Sequence, residues 1–193
     1  DLVAVPLRPL FIAIVALGSF LLFLVQPLIA RLALPQLGGA PSVWNTAMVF
    51  YQAALLLGYL YAHALQRLPL RRQALLHVAV LLAAALTLPL SLPGAGLPPP
   101  GGEARWLLLL LATGIGPLFV AVAAQAPLMQ AWFARSPDPD AREPWFLFAA
   151  SNAGSLSGLV AYPFLFEPLT ALPFQQLLWS ALYLLLLGLV ARA

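Results

Sequence analysis

Charged residues divide this chain into long uncharged runs, and the runs have the length of a membrane crossing. No Asp, Glu, Lys or Arg lies between Arg8 and Arg31, and none between Arg31 and Arg67. A helix needs about 20 apolar residues to cross the ~30 Å hydrocarbon core of a bilayer. The composition agrees: 63% of residues are hydrophobic and 8% are charged, whereas soluble domains carry about 25% charged residues. A water-soluble globular domain is therefore excluded. The runs lack the alternation and ~10-residue length of membrane-barrel strands.

The fold class read from these runs is all-α, a polytopic bundle of six transmembrane helices in one domain spanning 1–193. The helices are predicted at about 10–30, 43–65, 73–92, 104–134, 144–166 and 174–191. Gln26-Pro27 predicts a kink or an interfacial stop at the end of the first. Ser42 suits the N-cap of the second, and Pro144 suits the first turn of the fifth. Gly114, Gly116-Pro117 and Pro127 predict a kinked fourth helix. The connectors are turn-rich. Residues 34–42 hold Pro35, Gly38-Gly39 and Pro41, and residues 91–102 hold four prolines and four glycines. Residues 167–173 read as a turn. Asp138, Asp140 and Glu143 share a loop with Arg135 and Arg142, which predicts a solvated, salt-bridged connection.

Arginine placement gives an orientation. With the N-terminus inside, Arg8, Arg67, Arg71, Arg72, Arg135, Arg142 and Arg192 fall on the cytoplasmic side and only Arg31 and Arg105 outside. Seven against two is a strong positive-inside bias. Both termini are expected to be cytoplasmic, and the loop at 91–102 external. In such a protein the net charge of +3 is a matter of loop placement, so no nucleic-acid partner is expected.

The segment from Trp44 to Arg72 is an apolar helix ending in a basic cluster. Asn45, Gln52 and Tyr59 are spaced by seven, and each such step drifts only about 20° around a helix. His63 follows Asn45 by eighteen residues, about five turns at 3.6 residues per turn. All four are expected on one stripe, facing the bundle interior. Gln125 and Asn152 are further candidates for the wall of a polar cavity. Gln125 and Gln130 flank Pro127, whose ring frees a carbonyl that these amides suit. In the fifth helix Gly154 and Gly158 form GxxxG, with Ser151, Ser155 and Tyr162 on the same face. Small residues at this spacing let another helix approach closely. His77 stands alone and reads as a hydrogen-bonded structural residue. Glu167 reads as interfacial, ahead of Pro168.

An enzymatic site is not expected. No His, Cys, Asp or Glu cluster has metal-ligand spacing, and there is no cysteine. Gly38-Gly39 and Gly101-Gly102 do not join a strand to a helix, as a nucleotide loop would. Catalytic residues, cofactors and metals are all read as none.

Several blocks of the chain resemble the membrane part of the fused major facilitator/spermidine synthase proteins of bacteria. The first runs Phe23-Leu-Val-Gln26-Pro-Leu-Ile-Ala-Arg31. The next are Leu34-Pro-Gln-Leu-Gly38-Gly39-Ala-Pro-Ser-Val-Trp44-Asn45-Thr and Phe50-Tyr-Gln52-Ala, with Gly58-Tyr-Leu-Tyr61-Ala-His63 beyond. Gly116-Pro117, Ala126-Pro-Leu-Met-Gln130-Ala-Trp132-Phe, Asp140-Ala-Arg142 with Ala149-Ala-Ser151-Asn152-Ala-Gly154-Ser155 beyond it, and Ala161-Tyr162-Pro163-Phe complete the set. The resemblance covers most of the chain. It implies a six-helix, half-facilitator-like module in the bacterial inner membrane. Members usually continue into a soluble synthase-like domain, whose nucleotide-binding glycines and catalytic acids have no counterpart in these residues. Ala62-His63 stands where the facilitator pattern has an acidic–basic pair. The function expected from residues and resemblance together is movement of a small polar or cationic solute, as a homo-oligomer or with other membrane subunits. The alternative is a non-catalytic structural or anchoring subunit of a larger membrane complex.

Overall fold

The computed structural model describes residues 7–37, 41–92 and 98–193. Among these the regular structure is entirely helical: α1 (Leu7–Leu37), α2 (Pro41–Leu65), α3 (Leu70–Ala85), α4 (Glu103–Gly114), α5 (Gly116–Ala123), α6 (Gln125–Phe133), α7 (Trp145–Ala161), α8 (Glu167–Leu169) and α9 (Leu172–Arg192). A π turn, Tyr162–Phe166, carries α7 into α8 without interruption. Helices α1, α2 and α9 are each long and apolar enough to cross a membrane; α4 to α6 make a fourth crossing if that bent stretch is one span.

Several boundaries differ from those read in the sequence. Helix α1 does not stop at Gln26-Pro27 but runs through both Pro27 and Pro35. The Gln26 side-chain amide beside Pro27 donates to the Leu22 carbonyl at 3.3 Å. Ser42 lies inside α2 rather than capping it, and its carbonyl accepts from the Thr46 hydroxyl. Helix α3 ends at Ala85, short of the expected 92; Pro89 follows, and a residue before proline resists the helical conformation. The fourth run breaks as its glycines and proline indicated: Ile115 separates α4 from the next segment, with a bend of 65°. The stretch at 167–173 begins as helix, and the turn is confined to Thr170 and Ala171, both extended. The expectations for Gly38-Gly39 and for residues 93–97 lie outside the described residues.

Contacts fix the direction of each helix. Gly154 packs on Ala16 and Gly158 on Phe20, so α7 runs parallel to α1. The Trp179 indole donates to the Leu21 carbonyl and the Tyr183 hydroxyl to that of Leu81. Gln176 reaches Leu90, and Leu186 lies by Gly18; α9 therefore opposes both α1 and α3. Tyr51 lies against Phe119 and Gly58 against Ala123, so α2 and α5 run together. Gln73 meets Trp132 and His77 meets Gln125, so α3 opposes α6. Successive segments thus alternate in direction along the chain.

Trp179, Tyr183, Phe133, Ile14 and Leu21 fill the interior, while Leu56, Leu57, Leu75, Leu82, Leu156, Leu177 and Leu184 are exposed on the outside. Apolar side chains on both surfaces suit a bundle whose solvent is lipid.

Candidate functional site

The most extensive helix pair is α1 with α7, and two glycines permit it. A Cβ on Gly154 would collide with the Ala16 carbonyl, and one on Gly158 would lie 2.5 Å from the Phe20 carbonyl oxygen. The backbones touch there, as GxxxG spacing allows. Ser19 and Ser151 lock the seam with their hydroxyls 2.9 Å apart, and Ser155 turns back to the Ser151 carbonyl. Tyr162 is buried at the far end, with no hydrogen-bond partner for its hydroxyl among the described residues.

The opposite wall depends on a third glycine. A Cβ on Gly58 would lie 2.7 Å from that of Ala123 and 3.0 Å from the Val120 carbonyl oxygen. This contact seats α2 on α5. Between the two seams a groove of about 310 Å³ remains, open to the outside. Ser19 and Gln26 enter it from α1, Gln52 and Tyr59 from α2, and Asn152 from α7, over a floor that includes Phe119, Val122 and Ala123. The side chains of Gln52, Tyr59 and Asn152 make no hydrogen bond to other described residues. A larger apolar groove of about 840 Å³ adjoins it, sharing Gln26 and Tyr51, with Arg31 and Glu167 at its edge. The Arg31 guanidinium donates to the Glu167 backbone carbonyl at 3.4 Å.

The four-residue stripe of α2 (Asn45, Gln52, Tyr59 and His63) divides in this geometry, since Gln52 and Tyr59 line the groove and Asn45 and His63 do not. All four are exposed rather than packed into the bundle interior, which corrects the inward face expected for them. Gln52 and Tyr59 border the open groove; Asn45 and His63 lie beyond it toward the two ends of α2. Helical spacing sets which residues share a face, but not what covers that face.

Gln125 is also corrected. It is 1% exposed, and it belongs to the closed interior rather than the groove. Its amide nitrogen lies 2.8 Å from His77 Nε2 and 3.4 Å from the Ala121 carbonyl, so it is not spent on the carbonyl that Pro127 frees. The other ring nitrogen of His77 is engaged as well, and the tautomer sets which groups donate. Nδ1 in turn faces the Tyr61 hydroxyl at 3.2 Å. Nearby, the Trp132 indole donates to Gln73 Oε1 at 2.9 Å, and Gln73 donates to the Leu68 carbonyl at 2.7 Å. This chain joins α2, α3 and α6. His77 is fully buried and hydrogen-bonded, as its reading as a structural residue anticipated. The parts played by Gln73, Tyr61 and Trp132 were not anticipated, because the partners are far apart in sequence.

At one end of the bundle the charges pair differently from expectation. Asp138 and Asp140 turn to Arg8 instead of Arg135 or Arg142. Arg8 donates Nε and Nη2 to Asp138 at 2.7–3.0 Å, and Nη2 lies 2.8 Å from Asp140. These hydrogen bonds hold the Asp138 carboxyl below the ordinary carboxylate range. No group of three or more potential metal-ligating side chains occurs among the described residues.

Comparison with known protein families, curated proteins and solved structures finds no match.

Proposed function

We propose that the chain is a six-crossing, half-facilitator-like module of a bacterial cytoplasmic membrane, with the groove between α1, α2 and α7 forming one wall of a path for a small polar solute. A second copy or another membrane subunit supplies the opposite wall. The observation that carries this reading is the convergence of Gln52, Tyr59 and Asn152, unpartnered by any described residue, on one opening between α1, α2 and α7. In hydrocarbon an unsatisfied amide costs several kcal/mol, so these groups are expected to meet water, solute or protein rather than lipid. The alternating helix directions support six crossings. The seven-to-two arginine split supports cytoplasmic termini, and the Arg8–Asp138 clamp is consistent with it. A path at the interface between two helical halves is a recurring plan among transporters.

Flux into vesicles carrying the purified chain tests the reading. Small polar solutes should enter faster than into empty vesicles, and Gln52→Leu with Asn152→Leu should abolish the difference. The alternative is an anchoring or structural subunit, favoured by the same exposed amides if a neighbouring protein covers them. No flux, together with a partner that copurifies stably and is released by the double variant, would establish that alternative.

A further inference from the structure

The walls of the groove carry no charge along their whole length. Between Arg8 and Arg31 in α1, throughout α2, from Gly116 to Phe133, and throughout α7 there is no Asp, Glu, Lys or Arg. What the groove presents is amide and hydroxyl: Gln52 and Tyr59 on one wall, Asn152 on the other, and Gln26 and Ser19 between them. Each amide offers two donor hydrogens and one acceptor oxygen. The opening of about 310 Å³ sits at the lower end of ligand-pocket sizes, roughly 300–1,000 Å³. Arg31 and Glu167 line the adjoining apolar groove and contact one another through the Glu167 backbone.

We infer that the groove accepts small uncharged solutes carrying several hydroxyl or amide groups, and rejects ammonium and carboxylate compounds of the same size. This rests on the module reading above and narrows its substrate class. A charge brought to membrane depth needs an opposite charge beside it or retained water. The groove offers neutral dipoles only. A polyhydroxylated or amide solute exchanges its water for these same donors and acceptors, so its desolvation is compensated group by group. Phe119 and Tyr51 also line the groove and add apolar surface beside these polar groups.

The natural chain lacks cysteine, so a single introduced thiol reports the groove directly. Gln52→Cys and Asn152→Cys, each in lipid vesicles, are treated with three water-soluble methanethiosulfonates of similar size: a neutral hydroxyl reagent, a trimethylammonium reagent and a sulfonate. Each rate is divided by that reagent's rate with a free thiol in solution. Leu156→Cys, on the exposed apolar face, is the lipid-facing control. The expected result is reaction with the neutral reagent at both groove positions and at least tenfold slower reaction with both charged reagents. In the Gln52→Cys background, Asn152→Asp should then raise the rate of the cationic reagent by about the factor it had lost. If the cationic or anionic reagent matches the neutral one, the uncharged class is overturned while a water-filled path remains. If both groove positions resist all three reagents as the control does, the path itself is absent and both readings fall.

Discussion

Two sets of polar side chains lie on either side of Gly18, which packs against Gln125 and lines the groove that Gln52, Tyr59 and Asn152 share. On the inner side, Tyr61, His77, Gln125, Gln73 and Trp132 bond to one another and to backbone carbonyls. On the outer side, Gln52, Tyr59 and Asn152 make no such bonds to described residues. Both sets come from apolar helices with scattered polar positions, and in sequence they look alike. The difference is supplied by packing. The first set joins three helices into a unit; the second leaves hydrogen-bonding capacity at an opening. Where no bulk water fills the core, the first arrangement meets most of its own hydrogen-bonding capacity, with Gln125 Oε1 the one side-chain atom of the set left without a partner among the described residues, and the second needs something else to bind.

The sharpest way to break the comparison is to separate the helices that frame it. Gly154→Ala places a methyl group against the Ala16 carbonyl, which α7 can relieve only by moving off α1. The expected loss is about 3 kcal/mol, the upper part of the range for overpacking, read as unfolding at lower denaturant in detergent micelles. Wild-type stability would mean that α1 and α7 are not in backbone contact.

Substitution inside the dry set should have a smaller effect. His77→Leu leaves Tyr61 and Gln125 without their shared partner and is expected to cost about 1–2 kcal/mol. Adding Gln125→Leu should return part of that loss, because removing both partners costs less than orphaning one. Purely additive losses in unfolding titrations would show that the two side chains do not interact.

The Arg8–Asp138 clamp, outside both sets, should matter less still. Its sign follows from the lowered Asp138 value. The clamp's contribution is present above the ordinary carboxylate value and fades as pH falls through the lower folded-state value. A stability profile from pH 7 to 2 should show an acid-side loss that Asp138→Asn removes. Identical profiles for the two proteins would mean that the clamp contributes nothing.

Smallest of all, Gln52→Leu and Asn152→Leu should change stability by no more than about 0.5 kcal/mol, as for surface positions without partners. A loss as large as that of His77→Leu would place these amides in a bonded core and erase the contrast.

Much of this arrangement is legible in the sequence, and the illegible part has a physical boundary. Gly154 and Gly158 announce their seam because GxxxG spacing is local to one helix. Asn45, Gln52, Tyr59 and His63 share a face for the same reason. That the face is open could not be read, since periodicity says nothing about which element lies opposite. Gly58 resembles any glycine in an apolar helix until Ala123 is placed against it. His77 meets a tyrosine sixteen positions back and a glutamine forty-eight positions on, separations that no local pattern encodes. Gln26-Pro27 reads as a kink or an interfacial stop, and the stop is absent because a helix packed on α7 and α9 tolerates one lost hydrogen bond.

The contrast between a dry set and a wetted one can be measured in a single experiment. Hydroxyl-radical footprinting of the chain in lipid nanodiscs oxidises aromatic side chains where water reaches them. Tyr59, 48% exposed in the groove, should be oxidised, while Trp132 and Tyr183, at 5% and 0% exposure, should be protected. Equal protection of Tyr59 and Tyr183 would contradict the hydrated groove.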